Sequence, residues 1–93
     1  IPKHEDNEAS IADLKARIAK TIAFIQTIKP EQIDGTEDKD IKLTMGSRTM
    51  EFTGISYLQG FVTPNVYFHC ATAYNILRHN GIEVGKRDFL GGI

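Results

Sequence analysis

The run Thr63-Pro64-Asn65-Val66-Tyr67-Phe68-His69-Cys70-Ala71-Thr72-Ala73-Tyr74-Asn75-Ile76-Leu77-Arg78-His79-Asn80-Gly81 decides how this chain folds. It reads as a helix that stops at Asn80-Gly81, where glycine takes the left-handed conformation a helix end needs. Arg78 and His79 sit in its last turn, where positive charge suits the helix dipole. Uncharged residues extend the pattern back to Gly54, and Thr53 is placed to cap it. Pro64 lacks an N–H and crowds the preceding turn, so a kink or short break is expected near Thr63. The expectation is one kinked helix over about 54–80.

The segment from Phe52 to Leu77 carries no Asp, Glu, Lys or Arg. Its length would cross a bilayer. Gln59, Pro64, Asn65, His69 and Asn75 are spread along it, and each is costly in lipid. It therefore reads as a buried core helix, with no membrane partner.

Upstream, the period changes to two. Ile41, Leu43 and Met45 alternate with Lys42 and Thr44, and Gly46-Ser47 supplies a tight turn into Arg48 to Thr53. Pairing Met45 with Arg48 sets Leu43 against Met50 and Ile41 against Phe52 on one side. Lys42 then faces Glu51, and Thr44 faces Thr49, on the other. These are favourable cross-strand pairs, so a hairpin over about 40–53 is expected. An isolated hairpin is barely stable, so its apolar side must pack on a helix.

Further upstream, Ser10 and Asp13 resemble a capping box. Ile11, Leu14, Ile18, Thr21, Ile25 and Ile28 follow as one helical stripe. Lys15, Arg17 and Lys20 lie off it, facing water. Pro30 closes this helix, expected over about 10–29. A polar connector with a turn at Asp34-Gly35 leads to the hairpin. Downstream, residues 82–93 form a glycine-rich tail expected to dock on the rest.

The chain has 93 residues, 12 acids and 11 Lys plus Arg, for a net charge of −1. That length allows one domain. The charge gives no pull toward nucleic acid, and one cysteine excludes an internal disulfide. The opening Ile1–Asn7 is polar and is not a signal peptide. The chain begins with Ile1, and the expectation is a processed or partial polypeptide. Cytoplasmic residence follows by default.

Pro64 to His69, Thr72-Ala73-Tyr74, Ile76 to Gly81 and Gly85-Lys86-Arg87-Asp88-Phe89-Leu90-Gly91 resemble domain-of-unknown-function family nineteen-ninety-three. That family is placed with the DinB/YfiT-like helical bundles, often described as metalloenzymes. The order helix, hairpin, kinked helix agrees, so the resemblance covers about Ser10 to Gly91. Members are nearly twice this length. The resemblance therefore implies a mainly α fold, the C-terminal half of a four-helix up-down bundle with an inserted hairpin. On this reading residues 1–93 are a single, incomplete domain. Tyr57, Phe61, Tyr67, Phe68, Tyr74 and Leu77 need partners beyond the chain. The expected partner is the missing N-terminal half or a second copy, with a homodimer as the expected state.

A DinB-type metal site resembles three histidines, two of them four residues apart on one helix. Here Ala73 stands four after His69. His79 is ten residues on, about 15 Å along a helix, too far to share an ion bound at about 2 Å. His4 lies in the N-terminal tail. No metal and no other cofactor is expected from this chain alone, although absent residues have room to supply ligands.

Asn65, His69 and Thr72 line one face of the helix, and Tyr74 completes a candidate ligand pocket. His69 would act as acid/base or donor, with Asn65 and Thr72 orienting a ligand. The plainer reading is a buried hydrogen-bonded network, with Asn65 capping the helix after Pro64. Cys70 reads as a small core residue. Lys86 and Arg87 form a candidate anion site. The plainer reading there is a tail docked by an Asp88–Arg78 ion pair and by Phe89 and Leu90. Three functions stay open. The first is a small-ligand-binding DinB-like bundle without its own metal. The others are a structural or interaction module, and a metal-dependent transferase with its ligands in the absent half.

Overall fold

The computed structural model describes residues 1–92 of the chain. They are mostly helical, with one two-stranded antiparallel hairpin. They form two compact units, divided between Thr36 and Glu37. No described residue is fully buried.

The first unit holds helix α1, Ile11–Gln26. Ser10 caps it: its Oγ accepts the Asp13 N–H at 3.1 Å. The Asp13 carboxylate reaches back to the Ala9 N–H at 3.1 Å, one residue before the cap. Together they satisfy two N–H groups at the helix start. The helix ends one turn earlier than the proline rule anticipates. Thr27 and Ile28 donate to Phe24 and Ile25, both at 3.0 Å, and these i→i+3 bonds tighten and close the last turn. Pro30 instead opens a short 3-10 turn, Pro30–Gln32, where its fixed φ fits. Gly35 makes the expected turn with φ +83°.

Arg17 does not extend into water. Its Nη1 donates to Asp6 Oδ1 at 2.6 Å and to Glu8 Oε1 and Oε2, each at 3.1 Å. Asp6 has φ +54°, a conformation that Asp tolerates better than most residues. One guanidinium thus draws two acids of the N-terminal segment onto α1, which is why it leaves the solvated face.

In the second unit, β1 (Asp40–Met45) and β2 (Arg48–Thr53) pair antiparallel. Met45 pairs with Arg48, Leu43 with Met50, Ile41 with Phe52, Lys42 with Glu51 and Thr44 with Thr49. Every expected pair is present. Lys42 Nζ lies 3.0 Å from Glu51 Oε1, and the Thr44 and Thr49 hydroxyls are 3.1 Å apart. Gly46 turns at φ +60°, as the first position of a tight hairpin turn requires.

Thr53 ends β2 and caps the next helix, its Oγ1 accepting the Ser56 N–H at 3.3 Å. Helix α2 (Gly54–Tyr57) runs into a π-helical turn, Leu58–Val62, and then into α3, Thr63–His79. Of the kink or short break expected near Thr63, no break forms, and helical turns run on through Pro64. The wider turn, closed by Thr63 N–H to Leu58 O, precedes the proline and accommodates it while Thr63 keeps helical dihedrals (φ −61°, ψ −50°). Phe52 packs against Tyr57 and Phe61, with ring centroids 5.5 and 5.6 Å away. The hairpin's apolar side therefore rests on the helix that follows it.

Gly81, at φ +92°, stops α3. The tail then forms helix α4, Lys86–Phe89, which periodicity did not indicate. Ile93, the last residue of the expected docked tail, lies outside the described residues. Among the described residues no helix is long and apolar enough to cross a membrane.

Candidate functional site

Asn65, His69 and Thr72 lie on one face of α3, and all three are exposed. Asn65 is not a cap. Its Nδ2 donates back to Phe61 O at 2.8 Å, a carbonyl at the junction of the π turn and α3. The side chain thus secures the backbone where proline weakens it. His69 packs edge-on against Phe68, with centroids 5.3 Å apart at 80°. Its ring nitrogens make no hydrogen bond among the described residues. Thr72 continues the row. The three form an open polar strip, and the buried network expected for them is absent, because nothing within their unit covers that face.

Tyr74 belongs elsewhere. Nine residues after Asn65 at about 100° per residue, it lies on roughly the opposite side of α3. Its hydroxyl donates to Gly85 O at 2.5 Å. Its ring meets Phe89 at 5.2 Å and 75°, a favourable edge-to-face geometry. Tyr74 therefore holds the tail on α3.

The candidate anion site also divides. Lys86 lines a cleft of about 170 Å³ with Ala71, Tyr74, Asn75, Arg78 and Phe89. Arg87 turns away, its Nε donating to Gly92 O at 3.5 Å. The expected Asp88–Arg78 ion pair does not form. Asp88 Oδ2 accepts the Gly85 N–H at 2.9 Å, a nearer partner that closes the first turn of α4. Phe89 docks the tail, but Leu90 stays 46% exposed. Arg78 is the residue that sequence reasoning missed. Its one signal was its place four residues after Tyr74, which puts both on one helix face.

Cys70 is exposed, not packed in a core. His4 lines a polar cleft of the first unit with Glu5, Glu8, Asp13 and Arg17. There the Ala9 N–H, and then the Ser10 hydroxyl, hold the Asp13 carboxyl below its ordinary range. The hydrogen bond to Asp6 raises Arg17 above its ordinary value.

The arrangement of helix, hairpin, interrupted helix and docked tail has a counterpart among family models. The model for the domain of unknown function DUF1993 matches residues 1–90. The chain belongs to the DUF1993 family. It is also similar to a crystal structure of a DinB family member protein from Shewanella denitrificans. The two are 37% identical, with a TM-score of 0.76 over 99% of this chain. The match covers 51% of that protein, so the chain spans about half its length. No curated protein matches the chain.

The described residues do not by themselves assemble the three histidines of a DinB-type site. Among the described residues no three His, Cys, Asp or Glu side chains are grouped to hold an ion. His69 is followed at one turn by Ala73, so α3 offers a single imidazole at that level.

Proposed function

We propose that this DUF1993 chain supplies one half of a DinB-type four-helix bundle, its C-terminal half. In this reading the completed bundle binds a small ligand along Asn65, His69 and Thr72, without a metal from this chain. The supporting observation is one of area. The chain matches half of a DinB-family structure nearly end to end, yet it leaves long apolar rows open. On α1 these are Ile11, Leu14, Ile18, Ile22 and Ile25, each 46–69% exposed. On α3 they include Tyr67 at 61% and Phe68 at 64%. Covering one such side chain contributes roughly 1.5–3 kcal/mol. The occupant is a helical half equivalent to the remainder of the DinB-family protein. In a preparation of this chain alone, a second copy takes its place. A cytoplasmic setting belongs to the same reading.

Native mass spectrometry of the purified chain tests the bundle. A dimer is the expected species. A bare monomer with the full helical content overturns it.

A second reading is a structural module without a ligand. It is favoured by one detail: Asn65 is already engaged with Phe61 O. His69→Ala separates the two. The ligand reading expects loss of small-molecule binding with little change in melting temperature. A variant that only melts earlier supports the structural module.

A further inference from the structure

We propose that the cleft between the end of α3 and α4 binds a small aromatic carboxylate. It lies on the side of α3 away from the polar strip, so it is a second site.

Two cations line this cleft, Arg78 and Lys86, and neither forms an ion pair among the described residues. Both are also released from structural duty. A cation in the last helical turn commonly binds the terminal carbonyls, but here others do so. Asn80 donates to Ile76 O through Nδ2 at 2.8 Å and through its backbone at 3.1 Å. The Ile82 N–H takes Leu77 O, and the Gly81 N–H takes Arg78 O, each at 3.1 Å. On the other wall, Asp88 is two residues from Lys86 and so does not share its helix face, and its carboxylate accepts the Gly85 N–H.

The remaining wall is apolar and fixed. Tyr74 and Phe89 meet edge to face, and the Tyr74 hydroxyl ties α3 to the residue before α4. Ala71 leaves room beside the rings, and Asn75 adds one polar group. A planar guanidinium pairs with a carboxylate through two parallel hydrogen bonds. The rings give a flat apolar body an offset or edge-on place to pack. A cleft of about 170 Å³ is smaller than the roughly 300–1,000 Å³ of drug-sized pockets. It therefore suits one ring with one acid group.

The test is a titration of the isotope-labelled chain, following backbone amides by NMR, with benzoate, benzamide and inorganic phosphate as probes. Benzoate is expected to shift Tyr74, Asn75, Arg78, Lys86 and Phe89 saturably. Benzamide, its neutral isostere, is expected to bind at least about tenfold more weakly, as loss of a charge-assisted hydrogen bond predicts; phosphate, which keeps the charge and lacks the ring, is expected to bind more weakly because it forgoes packing on Tyr74 and Phe89. Arg78→Gln with Lys86→Gln is expected to weaken benzoate by a similar factor while amides elsewhere keep their positions. Arg78→Lys with Lys86→Arg keeps the charge, and should keep more of the binding than the glutamine pair if folding is intact. No saturable shift with benzoate overturns the proposal. Equal binding of benzamide removes the anion, and equal binding of phosphate removes the ring, so either also overturns it. None of these readouts reports subunit stoichiometry, so failure here leaves the bundle reading standing.

Discussion

Asp13 shows how one side chain ties charge to local structure. Its carboxylate accepts the Ala9 N–H while its own N–H goes to Ser10 Oγ. The Ala9 N–H, and then the Ser10 hydroxyl, hold the carboxyl pKa below the ordinary 3.8. A group depressed in the folded state stabilises fully above its unfolded value, and the gain is lost as pH falls through the folded one. Part of the α1 start should therefore loosen only in strong acid, below pH 3.8. An acid titration followed by circular dichroism should show this helix loss. Asp13→Ala should begin less helical at neutral pH and lose less in acid. Identical acid limbs for the two proteins would refute the assignment. Asn65 teaches the complementary lesson. Beside Pro64 it read as a cap, but its side chain donates backward to Phe61 O, because the helix never breaks there.

At the scale of elements, Thr53 is a hinge between two kinds of structure. It closes β2 and caps α2, and Ser56 returns the bond by accepting the Thr53 N–H at 2.9 Å. Thr53→Ala is expected to cost about 1 kcal/mol, seen as a lower urea midpoint, with Thr53→Ser recovering most of it. An unchanged midpoint would mean the cap contributes nothing. The hairpin's register rests on chemistry that repeats along it: an ion pair, a hydroxyl pair and an apolar face on Phe52. The π turn Leu58–Val62 has no such repetition. One extra residue in a turn relieves the proline, and nothing in the amino-acid pattern distinguishes that from a break.

For the whole molecule, the governing fact is that no described side chain is fully buried. A chain with 41% hydrophobic residues and no buried core leaves a large driving force unspent. Ile18 lies mid-row on α1 and is 57% exposed. Placing a charge there should block any partner that covers the row. Ile18→Glu is expected to convert the assembled species to monomer in analytical ultracentrifugation, with less helix than the parent at the same concentration. Equal sedimentation of variant and parent would show that the row is not an interface.

The hairpin with its register, the Ser10 and Thr53 caps, the Asp34-Gly35 turn and the Gly81 stop were all legible in the order of amino acids. Each depends on partners a few residues apart, so spacing alone specifies it. Four details were decided only in three dimensions. Arg17 turned from solvent to Asp6 and Glu8, and the proline was absorbed by a π turn. Asp88 chose Gly85 over Arg78, and Tyr74 left the polar strip to join Arg78, Lys86 and Phe89 around a cleft. In each case local chemistry offered several comparable partners. The choice fell to whichever the folded backbone brought within hydrogen-bonding reach, and sequence spacing does not encode that distance.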